Sequence, residues 1–122
     1  MAEDVAGRLR GRHILVVEDE FMIAEDLCEA LEGMGAVVLG PAATADQALA
    51  LIGAAGRLDG ATVDVTLRGE RSDRVAAALR ARRVPFVLVT GYGSEDLPPQ
   101  LRDVPRCQKP FDLSEVATSL FG

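Results

Sequence analysis

Tryptophan is absent from the chain, tyrosine and histidine each occur once, and cysteine occurs twice. Cys28 and Cys107 have no metal-ligand spacing, and His13 has no cysteine or histidine beside it, which excludes a zinc-type site. Both cysteines read as small buried hydrophobes in a reducing compartment. His13 opens an apolar run and reads as an edge residue, not as a ligand or base. Basic residues are too few for a nucleic-acid face: 13 Lys and Arg against 19 Asp and Glu give a net charge of -6. The one basic cluster, Arg71, Arg74, Arg80, Arg82 and Arg83, is expected to be the solvated face and C-terminal end of a helix. No apolar run approaches the roughly 18 residues that a membrane helix needs. Met1 to Ala6 carries acids and no apolar core, so no signal peptide is expected and the expected compartment is the cytoplasm. No internal repeat or low-complexity tract is present.

What remains is ordinary for one globular domain: 122 residues, 48% hydrophobic and 26% charged. Short apolar runs alternate with helical patterns. Strands are predicted at His13 to Val17, Ala36 to Leu39, Ala61 to Val65, Phe86 to Val89 and about Val104 to Gln108. Gly40-Pro41 is expected to break the second. Helices are predicted from about Glu20 to Glu32, from Thr44 to about Ala55, and from about Ser72 to Arg82. Thr44-Ala45-Asp46-Gln47 is a capping-box pattern, and Pro85 forbids continuation of the third helix. Gly91 to Leu101 predicts a loop and a short, poor fourth helix. A fifth helix opens around Asp112, with Glu115 reaching back and Phe111 stapling onto Val116. Five strands alternating with five helices imply an α/β fold, a doubly wound parallel sheet covered on both faces.

In such sheets ligands bind beyond the carboxyl ends of the strands. Polar groups stand there: Glu18 and Asp19 after the first strand, Asp64 on the third, Thr90 after the fourth and Lys109 after the fifth. Acids occupy the place of a glycine-rich dinucleotide loop, so a pyrophosphate there is excluded. Crowded carboxylates repel unless a cation joins them. Hard oxygen ligands of this kind suit Mg2+, which also takes phosphate oxygens. Asp64 then becomes a candidate nucleophile for a phosphoryl group, with Thr90 and Lys109 as partners of its oxygens.

The motifs Val17-Glu18-Asp19, Asp64, Thr90-Gly91 and Lys109-Pro110-Phe111 together resemble the receiver domain of bacterial two-component response regulators. The resemblance runs from about Arg12 to Phe121. It implies a flavodoxin-like (βα)5 sheet of order 2-1-3-4-5 in a single domain at 12–122, after a flexible segment at 1–11. It implies a phosphoacceptor, not an enzyme with a separate substrate, that takes its phosphoryl group from a histidine kinase onto Asp64. The implied Mg2+ ligands are Asp19, Asp64 and the backbone carbonyl of Thr66, with Glu18 supporting through water. The implied phosphate contacts are Thr90 and Lys109.

The run Pro85-Phe86-Val87-Leu88-Val89-Thr90-Gly91-Tyr92 further resembles the Pro-Phe-x-Phe-Ala-Thr-Gly-Tyr receiver subfamily, with Leu88 and Val89 as departures. That implies a sensor histidine kinase of the HWE or HisKA2 type, or a histidine phosphotransfer protein, as donor. Output would pass to a downstream protein target, or the chain would serve as a phosphate relay or sink. No nucleic-acid or membrane partner is implied. Leu67 and Arg68 stand where many receivers have Met-Pro. Arg106 replaces the usual aromatic switch residue, leaving Tyr92 as the switch candidate. A rival reading is a receiver-like binding module that signals without phosphorylation. A flavodoxin-like redox protein lacks its phosphate loop here. An aspartyl phosphatase would need an acid at Thr66. No output domain follows the fifth helix, so either a single-domain regulator or an excised piece is expected.

Overall fold

The computed structural model describes residues 7–67, 70–90, 101–108 and 112–122. After a first helix, α1, described at residues 7–9, come β1 (His13–Val17), α2 (Phe21–Gly33), β2 (Val37–Ala42), α3 (Ala45–Ala54) and β3 (Gly60–Asp64). Two short strands, β4 (Thr66–Leu67) and β5 (Glu70–Arg71), precede α4 (Asp73–Ala81). The described chain closes with β6 (Phe86–Thr90), β7 (Arg106–Gln108) and α5 (Leu113–Phe121). The main sheet has the order β2-β1-β3-β6-β7 and every pair in it is parallel. Counting only its own strands, that is the expected 2-1-3-4-5 order of a flavodoxin-like fold. The expected fourth helix falls largely in 91–100, outside the described residues.

The sheet buries both faces because strand side chains alternate. Leu15 and Val17 of β1 point into a cluster with Ala48 and Ile52 of α3 and Val75 and Leu79 of α4. Ile14 and Val16 point the other way, into a cluster with Leu27 and Leu31 of α2 and Ala117 of α5. All five residues of β3 are buried. Gly60 begins that strand where α5 crosses closely: an added Cβ would lie 3.1 Å from Phe121 and 3.2 Å from Leu120. Each fully buried Leu, Ile or Val contributes about 1.5–3 kcal/mol, so this central strand row anchors whatever stands at its end.

Three expectations change. β2 does not stop at Gly40-Pro41 but runs through a cis peptide there to Ala42. It can do so because it is an edge strand, where proline's missing N–H costs no ladder bond. Its register slips between Leu15 and Val17 of β1, and Gly40 sits at φ +99° with Val16 O and Ala42 N each 2.9 Å from where a Cβ would be. Residues 7–11, expected as part of a flexible segment, pack instead: Leu9 is fully buried in the α2 cluster. The Gly11 N–H donates to the Gly35 carbonyl at 2.8 Å, and the Arg12 guanidinium lies 4.2 Å from the centre of the Phe121 ring. His13 opens an interior strand, not a sheet edge, and its N–H donates to the Asp59 carboxylate at 2.8 Å.

Helix ends follow the sequence chemistry. Thr44 Oγ1 accepts from the Gln47 N–H at 3.1 Å, while Gln47 Oε1 accepts from the Ala43 N–H at 2.8 Å. Asp112 caps α5 by accepting from the Glu115 N–H at 3.0 Å. Phe111 lies outside the described residues. Of the basic cluster, Arg74 pairs with Asp46 and Arg80 with Asp103, each at 3.2 Å. Arg82 donates to carbonyls of Ile52, Ala55 and Gly56 at the C-terminal end of α3. Among the described residues no helix is long and apolar enough to cross a membrane.

Candidate functional site

Parallel register brings the strand ends into one row. Val17 of β1 pairs with Val63 of β3, Asp64 pairs with Val89 of β6, and Thr90 pairs with Gln108 of β7. Glu18, Asp64 and Thr90 therefore stand within about one residue of a common level, side by side along the carboxyl edge. The sheet fixes this row, since each strand is held in register by its neighbours and by the core clusters beneath.

Three carboxylates close together at that edge. Oxygens of Glu18, Glu20 and Asp64 all lie within 4.8 Å of one another. Glu18 and Asp64 are buried at 4% and 9% exposure, while Glu20 is exposed. Glu18 also accepts from the Glu20 N–H at 3.1 Å, which folds the segment over its own strand end. The Glu18 N–H in turn donates to the Ala42 carbonyl at 2.9 Å, anchoring the turn to the last residue of β2. Three like charges at this spacing favour a cation between them, and carboxylate oxygens suit a hard divalent ion.

Glu20 is the member that the sequence does not announce. Its position suggests the first residue of a helix, yet its backbone is extended, at φ -86° and ψ 109°, and the helix starts at Phe21. A bend at Asp19 and the bond from the Glu20 N–H to the Glu18 carboxylate turn the two acids toward each other. The usable signal is the unbroken acid run Glu18-Asp19-Glu20 directly after an apolar strand. Asp19 lies between them, half-buried, and is not in the group of three.

The other expected site residues divide by what is described. The backbone of Thr66 is described and lies in β4. Thr90 ends β6 with its main chain in register, and its hydroxyl lies outside what is described. Lys109 and Tyr92 lie outside the described residues. Arg106, at the place of the usual aromatic residue, is exposed. Neither cysteine competes as a nucleophile. Burial pushes the Cys28 thiol up, helped by Glu32, and burial pushes the Cys107 thiol up, helped by Glu115 and Asp112 against a hydrogen bond with Ser119. Both stay protonated near neutral pH. Phe21 and Met22, directly after Glu20, are each 73% exposed, so apolar surface borders the acid cluster.

No family model matches the chain. Among solved structures, SdrG from Sphingomonas melonis Fr1 is 42% identical, covering 92% of this chain and 94% of that one, with a TM-score of 0.79. A response regulator protein from Burkholderia pseudomallei, solved with a phosphorylated aspartic acid, calcium ion and citrate, is 25% identical with a TM-score of 0.78. That match covers 89% of this chain and 66% of the other. The transcriptional regulatory protein PdtaR of Mycobacterium tuberculosis is 27% identical over 113 residues, 89% of this chain. The chain spans about half the length of that curated relative, 55%.

Proposed function

We propose that this chain, which belongs to the receiver-domain family of bacterial two-component response regulators, accepts a phosphoryl group on Asp64 and signals through protein contact. The observation that carries the reading is the placement of Asp64: a buried carboxylate at the end of the central strand, grouped with Glu18 and Glu20. A carboxylate oxygen of Asp64 attacks phosphorus, the N–P bond of a phosphohistidine breaks, and the imidazole leaves with the bond's electron pair. The product is an acyl phosphate on Asp64. Hydrolysis by water returns the free carboxylate. The chain is thus an acceptor that takes part in its own phosphorylation and dephosphorylation, not an enzyme with a separate substrate.

The residues present fit Mg2+. Glu18, Asp64 and the Thr66 carbonyl would hold it, with Asp19 from the family pattern and Glu20 from the observed grouping as further candidates. When bound, the ion supplies positive charge that offsets the phosphoryl oxygens. Thr90 donates to one such oxygen and Lys109 balances another. The phosphorylated aspartate and calcium ion of the Burkholderia relative support both parts of this reading.

The donor is a sensor histidine kinase or histidine phosphotransfer protein. The run from Pro85 to Tyr92 favours a kinase of the HWE or HisKA2 type. The exposed pair Phe21 and Met22 offers such a donor apolar contact beside the acids. Tyr92 is the proposed switch, because Arg106 replaces the usual aromatic. These reactions take place in the cytoplasm.

Intact-mass measurement after incubation with Mg2+ and acetyl phosphate tests the proposal. The wild-type chain gains one phosphoryl mass, chelation of the metal abolishes the gain, and Asp64→Asn shows none. Equal modification of Asp64→Asn would reject Asp64 as the acceptor. An unmodified wild type that still binds its target would favour the phosphorylation-independent module.

A further inference from the structure

Ser72 stands at the N-cap of α4, yet its side chain makes no capping bond to that helix. It is fully buried. Its hydroxyl instead donates to the Val65 carbonyl at 3.0 Å, and its own N–H donates to the same oxygen at 3.1 Å. One carbonyl, directly after Asp64, thus takes two donors from one residue. On its other side the Val65 N–H donates to the Val89 carbonyl of β6 at 3.2 Å. Both peptide groups of Val65 are therefore held.

The short ladder shows what this does for the next residue. Thr66 pairs with Arg71 and Leu67 with Glu70. In an antiparallel pair, hydrogen-bonded and non-hydrogen-bonded positions alternate. The Ser72 N–H to Val65 bond makes Val65–Ser72 a bonded position, so Thr66–Arg71 is the non-bonded one. The N–H and C=O of Thr66 consequently face away from the ladder. The Val65–Thr66 peptide is planar and trans, so holding its carbonyl toward Ser72 sends the Thr66 N–H the opposite way.

We infer that Ser72 is a positioning residue for the phosphoryl-accepting site: it latches the Val65 carbonyl, closes the 65–72 hairpin and so fixes how the Thr66 main chain is presented beside Asp64. This rests on the reading of Asp64 as acceptor and deepens it. Ser72 touches neither the metal nor the phosphoryl group. It acts through one peptide plane, as outer partners orient the ligands of metal sites. Alanine at this position keeps the N–H bond and loses the hydroxyl bond, leaving that peptide able to rock.

The test compares wild type, Ser72→Ala, Ser72→Thr and Ser72→Cys in the full chain. Three quantities are measured: the melting temperature, the Mg2+ dissociation constant from amide NMR titration, and the rate of modification by acetyl phosphate at saturating Mg2+. Titration and rate are taken well below every melt. Ser72→Ala is expected to weaken Mg2+ binding and slow modification, each by about tenfold, and Ser72→Thr to recover part of both because the hydroxyl returns. A lower melting temperature with affinity and rate within about twofold of wild type would reduce Ser72 to a folding role and overturn the inference. If Ser72→Ala does not fold, Ser72→Cys, with a weak donor of similar size, takes the same comparison. If the wild type is never modified, the acceptor reading fails, while the Mg2+ titration still judges Ser72. A wild type that binds no Mg2+ overturns both.

Discussion

Asp59 shows how one exposed-looking carboxylate fastens two strands. It follows the loop before β3, accepts from the His13 N–H at 2.8 Å and pairs with Arg57 at 3.0 Å. Its own N–H returns to the His13 carbonyl at 2.8 Å. Partial burial pushes the Asp59 carboxyl up, but the His13 hydrogen bond and the hydrogen bond and charge of Arg57, with Arg12 beyond, outweigh it and hold the group below its ordinary value of 3.8. A carboxyl depressed in the folded state stabilises the fold above its unfolded pKa. That contribution is lost as pH falls from about 4 through the lower folded value. Acid unfolding followed by circular dichroism should therefore show a shallower loss of stability below pH ~4 in Asp59→Asn than in wild type. Identical acid limbs would mean that the carboxylate's charge does nothing for the β1–β3 start. Glu20 teaches the complementary lesson. Its charge was plain in the sequence, but its role depends on an extended φ and ψ that a one-residue delay in helix initiation creates.

At the scale of elements, the join between α3 and α4 depends on two neighbouring arginines with opposite consequences. Arg82 sends its guanidinium across to the free carbonyls that end α3, where a cation meets both unpaired acceptors and the negative end of the helix dipole. Arg83 ends α4 at φ 58°, a conformation that costs a side-chain-bearing residue about 1 kcal/mol or more. Urea unfolding should place Arg82→Ala about 1 kcal/mol below wild type and Arg83→Gly about 1 kcal/mol above it. Equal behaviour of the two would mean that the basic cluster is only a solvated face, as the sequence suggested. Much of the element plan was legible. His13-Ile14-Leu15-Val16-Val17 can only be a doubly buried strand, and Thr44 with Gln47 and Asp112 with Glu115 mark helix starts by their own chemistry. What escaped depends on the whole sheet. Gly40-Pro41 breaks any strand except an edge strand, and edge status is a property of strand order. Two-residue strands such as β4 and β5 carry no periodicity to read. A single leucine in a polar stretch gives no hint that Leu9 is buried. Of the site, Glu18 and Asp64 were legible because each ends an apolar run, while Ser72 was not, since a serine before a helix normally caps it.

For the molecule as a whole, folding concentrates negative charge on a chain already at -6. Asp64 is far from Glu18 and Glu20 in an unfolded chain, and all three carboxylates lie within 4.8 Å of one another in the folded one. Their mutual repulsion therefore lowers the stability of the metal-free state. An ion that binds only the folded chain adds RT ln(1 + [L]/Kd), about 2.7 kcal/mol at a hundredfold excess over Kd. Melting temperature should accordingly rise with the logarithm of Mg2+ concentration. Sodium chloride at matched ionic strength should give a smaller rise, because it only screens. Asp64→Asn should start higher than wild type without metal, by about 1 kcal/mol, and lose most of the Mg2+-dependent gain. Glu20→Gln and Asp19→Asn then separate the two accounts of the ligand set. If the observed grouping holds the ion, Glu20→Gln flattens the Mg2+ response and raises the metal-free melt. If the family pattern holds it, Asp19→Asn does so and Glu20→Gln leaves the response near that of wild type. A melt that responds to sodium and magnesium alike in all four proteins would mean that this acid edge carries charge but no ion site.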